Sequence, residues 1–588
     1  MPTRRQTVMW ITHVREPCMT AVVESDPILT SSLAAPSDNM APSAAALASS
    51  AALAACGGGG GDTGSSTVSG GSGSGTGPSA AEAASFLAQA SMGATRDHIA
   101  RVQALGYAGW IDEQMALPRS SGRWDYLVAG GFGAATNKNS EAGFDASAWS
   151  KLIASPDTLR QRMTMALSEI MVAAIDGLIG GGWKAFAAAA YLDLLEANAF
   201  GVHRNLLQQI STSPAMGMFL TFRASMKASG TGALPDENYA REVMQLFTIG
   251  LVQLNLDGTP QLTEGAATYT YAQADITGLA RVFTGWDFDL QGQSGAAGTA
   301  TPDFMRRPMI QYPSRHELGA KTFLGVTIPA GTDGVQSLKI ALDTICAHPN
   351  VGPFTSRQLI QRFVTSNPSP AYVARIAGIF NNDGTGVRGN LGAVLKAMLL
   401  DDEARNPANA ASTSFGKVRE PILRFTAWAR AYSAASASNA WAVGNTSDPA
   451  SRLGQSPLRS PTVFNFFRPG YVPPNSAVAT AALVAPEFQI TNESSVVGYV
   501  NFLQRAVAGG IGDIKADYSA LLALSDDAVA LVAEIALVLA ADQLSTATLA
   551  SISAAVASMP TGTATTRQNR VNASLVLVLA TPEFIVQK

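Results

Sequence analysis

The sequence predicts a mainly α-helical protein: a large multi-helix globular domain with long irregular loops and at most a small β-hairpin. Three observations lead there. From about residue 80 onward, apolar residues recur at the 3.6-residue spacing of a buried helix face. Capping residues stand where those runs begin and glycines where they end. Strand-like alternation is confined to one short stretch, Lys321-Thr322-Phe323-Leu324 and Val326-Thr327-Ile328 around Gly325.

In order along the chain, Phe86, Leu87 and Ala90 mark a first apolar face, Ile99, Val102 and Leu105 a second, and Trp110, Ile111 and Met115 a third. Thr95 is placed as an N-cap, and Gly106 ends the run it starts. The same pattern predicts helices over 157–175, 185–200, 203–210, 235–249, 273–285, 335–347, 353–364, 370–380, 389–403 and 416–433. Five more follow around 494–508, 517–524, 527–541, 546–557 and 565–581. Two long irregular stretches interrupt them, about 287–315 and 434–480, and loops of that length in a compact domain are usually functional. The second holds Phe464, Phe466, Phe467 and Tyr471 among prolines, which suits packing onto the body or a ligand-facing wall.

Composition narrows the function. The 588 residues are 47% hydrophobic and 14% charged, with a formal net charge of −4. That charged fraction, far below the usual ~25%, argues against a disordered acidic or basic protein. The near-neutral balance argues against non-specific nucleic-acid binding. Cys18, Cys56 and Cys346 cannot build a disulfide scaffold, and no CxxC or Cys/His spacing points to structural zinc.

Residues 40–56, MAPSAAALASSAALAAC, form an apolar run ending in Leu53-Ala54-Ala55-Cys56. Small residues before a cysteine suit a peptidase that takes a narrow extended substrate, and the run resembles a bacterial lipobox with Cys56 as the lipidated residue. The basic residues of an export signal lie far upstream at Arg4, Arg5 and Arg15, which places the true start nearer Met40. Residues 57–77 are nearly all Gly, Ser and Thr and read as a flexible tether. The organisation expected is therefore an export segment over 1–56, a tether over 57–80 and a helical domain over 81–588, divisible into lobes at about 81–290 and 310–588. The best later apolar run, Val529 to Ala541, is too short to span a bilayer and contains Glu534, so anchoring is expected through lipid, extracytoplasmically on a bacterial envelope membrane.

The run PDENYAREVMQLFTIGL from Pro235 to Leu251 is the most distinctive in the chain. With NAFGVHRNLLQQISTSPAMGMFL at 198–220 and DITGLARVFTGWDFD at 275–289, it resembles a large bacterial family known as domain of unknown function 1800. The likeness extends through FLAQASMGAT at 86–95, RHELGAKTFLG at 315–325, GVRGNLGAVLKAMLLDDEAR at 386–405, GQSPLRSPTVFNFFRPGY at 454–471 and ATPEFIVQK at 580–588. The resemblance implies an exported, largely helical protein with no established activity. It also implies a protein partner resembling the arylsulfatase- and alkaline-phosphatase-like proteins encoded near family members.

Two constellations carry candidate chemistry. On the 235–249 helix, Glu237, Asn238, Arg241, Glu242 and Gln245 lie along one side, with Glu237 and Arg241 spaced as an i,i+4 ion pair. This stripe is either a solvated polar face or the wall of a cleft with acid/base or metal-binding carboxylates. The second is His316 beside Glu317, with Lys321 four residues on. A neighbouring carboxylate can raise the pKa of His316 or orient its ring, and a carboxylate from 236–242 could complete an acid/base or metal site. Candidate catalytic residues are thus Glu237, Arg241, Glu242 and His316. Candidate ligand-binding residues are Asn238, Gln245, Trp286 and Lys321, although Trp286, like Arg160 and Arg162, equally suits packing. No HExxH, GxSxG or Walker A string occurs, and no cofactor is indicated. Gly384 to Gly389 matches GxGxxG formally, but it follows a helix and reads as a turn, and position twelve of the Asn381 loop is Gly392, which excludes a calcium loop. These features favour a binding or accessory component working with a partner. The alternative is a cleft enzyme, such as a hydrolase of an envelope or extracellular polymer.

Overall fold

Local capping chemistry starts and stops the helices. The Thr95 hydroxyl accepts the His98 backbone N–H at 3.1 Å and opens helix Arg96–Ala116. Gly106, with φ +69° and ψ +171°, breaks the helical backbone as expected, and a second helical stretch continues across the kink. The computed structural model describes residues 77–229, 232–292 and 300–588. The export-like segment, Cys56 and nearly all of the tether lie outside the described residues. Within them the chain is mainly α: 53% helical, with 23 α-helices and five two-stranded antiparallel pairs.

The expected hairpin is present, with Lys321–Phe323 paired to Val326–Ile328. It packs on helix Gln273–Ala280 at Gly278, where an added Cβ would meet the Thr322 carbonyl oxygen at 1.8 Å. Asp275 fastens the two together by accepting the Leu324 N–H at 2.7 Å.

Several predicted helices are shorter than their periodicity suggests, among them the 157–175 helix, which ends at Ile170. The 235–249 helix is regular only over Asn238–Gln245, after which the chain turns through Leu246 and Phe247. The 273–285 helix ends at Ala280 and gives way to a 3-10 turn and to strand Trp286–Asp287, paired with Ile310–Gln311. The 416–433 helix begins at Pro421, because Lys417–Val418 is a strand that pairs with the chain's last strand, Val586–Gln587. Proline at the first helical position sets that start.

Two apolar cores are built. The first draws on helices between residues 80 and 404 and includes Trp110, Phe186, Tyr239 and Phe363. The second gathers Trp428, Phe502, Leu531 and Val571, with Trp149 and Met165 reaching in from the earlier part of the chain. Helix Thr158–Ile170 belongs to both, giving Met163 and Leu167 to one and Met165 to the other. Among the described residues, no helix is long and apolar enough to cross a membrane.

Candidate functional site

Helix Thr158–Ile170 is buried on every face, with only Ser168 partly exposed, yet it carries Arg160, Arg162 and Glu169. Charges removed from water cost several kcal/mol each unless paired and hydrogen-bonded, so their partners define the interior here. Glu169 stands 3.3 Å from the Arg362 guanidinium of helix Val351–Phe363. Gln455 donates its amide to Glu169 at 3.3 Å and to Glu420 at 2.7 Å, bridging the two carboxyl groups. Lys417, wholly buried, lies 3.0 Å from Glu487 and 3.6 Å from Glu420, and donates to the Arg362 carbonyl at 2.8 Å. Arg162 donates to the same carbonyl and stacks 4.7 Å above the ring of Phe363. The terminal strand holds this arrangement from outside, since Gln587 donates to the Phe363 carbonyl at 2.8 Å.

The two bridged glutamates titrate in opposite senses. Burial and the neighbouring Glu420 charge push Glu169 well above the usual carboxylate range. Burial would raise Glu420 too, but the hydrogen bond with Glu169 and the charges of Lys417, Arg362 and Arg162 bring it down to about 2. Of the two, Glu169 holds its proton the more tightly. Burial also raises Glu487. Arg162, Arg362 and Lys417 are set against these three acids.

Two members of the cluster, Glu169 and Arg362, line a cleft of about 200 Å³ between helix Val351–Phe363 and the 463–470 loop. Leu246, Ile249, Leu251 and Phe354 form its apolar walls, while Glu169, Gln358, Arg362 and Arg468 supply its polar groups. Gln358 Nε2 is buried there without a hydrogen-bond partner, while Glu169 Oε2 has only its ion pair with Arg362. The aromatic loop both packs and faces the cleft. Phe467 is buried with Arg362 4.6 Å above its ring, and Phe464 lines the opening beneath Arg468 at 4.7 Å. A larger groove of about 520 Å³ passes Asp193 and Glu196. Its acids are already committed, because Arg123 and Lys151 reach Glu196 at 2.7 and 2.9 Å.

The residues singled out from sequence fall into separate settings. Glu237 accepts from Thr277 at 2.7 Å, from Gln273 at 2.8 Å and from Arg241 at 3.4 Å, so the expected i,i+4 pair is present and tied to the next helix. Asn238 is exposed and donates to Thr221 at 2.8 Å. Glu242 is half-buried: Oε2 is enclosed without a hydrogen-bond partner, and burial, opposed by Arg241, raises its pKa to about 7. Gln245 accepts from Tyr271 at 3.2 Å and alone of these residues lines the cleft.

His316 is buried at the end of the Pro313–Arg315 turn that follows strand Ile310–Gln311. Its Nδ1 lies 3.0 Å from the Thr284 carbonyl, which can only accept, so the proton sits on Nδ1 and Nε2 is left bare. Burial lowers its pKa, as it does that of the enclosed Lys321. Trp286 is buried with its indole N–H unpaired. Among the described residues, no hydrogen bond or ion pair joins His316 to Glu237 or Glu242, and no group of three His, Cys, Asp or Glu side chains could hold a metal ion.

Sequence reasoning did not single out Glu169, Gln358, Arg362 or Arg468. Arg162 was read as a packing residue, which its place under Phe363 matches. A signal for the cluster was nonetheless present in the run TLRQRMTMALSEI: charges at three positions of a helix with no polar face imply internal partners.

No curated protein matches the chain, and no solved structure does. The model of a family described as a protein of unknown function, DUF1800, matches residues 85–586. The chain that builds this cleft beside a buried ionic cluster belongs to that family.

Proposed function

We propose that the protein is a ligand-binding accessory component of a bacterial envelope, exported and anchored through a lipid on Cys56. One observation carries the binding half of this reading. The cleft beside Glu169 and Arg362 joins apolar walls to charged groups and to an unpartnered buried donor, Gln358 Nε2, the combination that small-molecule sites use for affinity and orientation. The Leu53-Ala54-Ala55-Cys56 run followed by a Gly/Ser tether supports the anchoring half, because a tethered globular domain needs a flexible stretch after its lipid. A partner of the arylsulfatase or alkaline phosphatase kind would receive or deliver what the cleft holds.

Native mass spectrometry on the protein purified gently from its own envelope tests the binding half. A retained small molecule that is lost in Val463→Trp, which fills the cleft mouth, is the expected result; a bare chain contradicts it. For the anchor, Cys56→Ala is expected to leave the membrane fraction, and unchanged membrane retention contradicts lipidation.

The bridged carboxyl pair favours a second reading, a cleft hydrolase. On this geometry its acid is Glu169, which lines the cleft and holds its proton more tightly than Glu420 does. Glu237, Glu242 and His316 sit in other settings. A positioned acid contributes roughly 10²–10⁴-fold to a rate. Turnover of the retained ligand that falls at least about 100-fold in Glu169→Gln, with retention unchanged, would select this reading; equal turnover would remove it.

A further inference from the structure

The chemistry of the cleft floor narrows what the cleft takes, an inference that rests on the ligand-binding reading above. Its charged lining is one-sided. Arg357, Arg362 and Arg468 border the space, and the single acid among the lining residues, Glu169, has its carboxyl turned to the Gln455 amide and the Arg362 guanidinium. Arg362 is 3% exposed and Gln358 9%, so both are built into the floor and do not reach in from solvent. The Gln358 amide nitrogen, a donor, has no acceptor. A buried donor left without an acceptor is penalised by its lost hydration, and an arriving acceptor would recover that loss.

The walls say the rest. Leu246, Ile249 and Phe354 offer nothing polar to a sugar or peptide chain. The volume, about 200 Å³, is below the roughly 300–1,000 Å³ of sites that enclose drug-sized ligands. It suits a short aliphatic or aromatic group with one anionic head. Planar guanidinium groups recognise a carboxylate through paired, charge-assisted hydrogen bonds.

We propose that the cleft binds small amphipathic carboxylates, with the chain against Leu246, Ile249 and Phe354 and the head at Arg362, Arg468 and Gln358. The carboxylate can be a free acid or the acidic end of a longer chain, since Phe464 and Arg468 among the lining residues are partly exposed.

The test is calorimetric titration of the full-length chain carrying Cys56→Ala, which avoids detergent that would compete for the cleft. Octanoate, 1-octanol and octylamine are the probes at pH 7. Octanoate is expected to bind at least tenfold more tightly than octanol, with octylamine weaker still. Val463→Trp should abolish binding, and Arg468→Ala, which changes a partly exposed side chain, should cut the preference for octanoate over octanol severalfold. Three probes binding alike would overturn the carboxylate assignment while leaving the ligand-binding reading intact. Failure of all three would overturn both. Octanoate binding that survives Val463→Trp unchanged would place the site elsewhere and overturn the assignment. Once octanoate binding is established, a hexadecanoate probe that binds no more weakly than octanoate assigns the ligand as the end of a longer chain, and exclusion of hexadecanoate assigns a short free acid.

Discussion

Arg362 stands 3.3 Å from Glu169 and stacks 4.6 Å over Phe467, so one guanidinium couples the buried carboxyl pair to the aromatic loop that walls the cleft. Removing the ring leaves this cation half-uncovered and opens a cavity beneath the loop. Phe467→Ala is expected to cost about 3–5 kcal/mol, read as a lower urea midpoint at an unchanged denaturant slope.

Lys417 holds two carboxyl groups inside the protein, Glu487 at 3.0 Å and Glu420 at 3.6 Å. Breaking such a buried set by deleting one partner costs about 3–5 kcal/mol, because the charges left behind stay desolvated. Lys417→Met should show that loss at pH 7. The double change Lys417→Met with Glu487→Leu should recover part of it, which a double-mutant cycle measures.

Glu242 gives a pH dependence of defined sign. Burial raises its folded pKa to about 7 from the ordinary 4.5, so the folded state binds the proton more tightly than the unfolded chain does. Its stabilisation is complete below pH 4.5 and is lost as pH rises through about 7, at up to about 1.4 kcal/mol per pH unit. Glu242→Gln is expected to be more stable than the parent at pH 8, to match it near pH 4, and to leave the cleft's ligand retention unchanged. Equal stability of the two proteins at pH 8 would contradict the enclosed placement of its carboxyl.

His203 works in the opposite direction. Its ring is wholly buried edge-on to Phe380 at 5.5 Å, and burial with the Arg388 charge lowers its pKa to about 4. The neutral ring stabilises the fold above pH 6.5, and that contribution is lost as pH falls towards about 4. His98, similarly lowered to about 4 by burial and Arg430, adds to the same acid limb. In thermal melts, the stability difference between His203→Leu and the parent should therefore shift in the variant's favour from pH 6.5 to 4.5, and a constant difference would contradict it.

Gly278 is set by a close approach of helix Gln273–Ala280 to the 321–328 hairpin. A methyl group there meets the Thr322 carbonyl oxygen at 1.8 Å, so the two elements must separate. Overpacking of this kind costs about 1–3 kcal/mol. Gly278→Ala should lose that much by chemical denaturation and raise hydrogen exchange at Leu324, whose N–H is held by Asp275.

Most of the architecture was legible because it is local. The Thr95 cap, the hairpin around Gly325 and the Glu237–Arg241 pair depend on residues a few positions apart, and spacing reports them. The Lys417–Val418 strand was not legible, since its partner is Val586–Gln587 and an apolar run reads the same before either pairing. The cleft was missed for the same reason. Glu169, Arg362, Glu420 and Gln455 come from four distant stretches, and only the unexplained charges on the buried 158–170 helix pointed to them. The 236–245 stripe was legible as polar, but periodicity could not tell that Glu242 turns inward while Glu237 bonds to Thr277.

The most direct test of the account is a crystal structure of the protein purified from its own envelope without added ligand. The account predicts density for a small molecule between Phe354 and Phe464, with its polar end within hydrogen-bond distance of Arg362 or Gln358. A cleft holding only water, with a retained molecule bound at another surface, would contradict it.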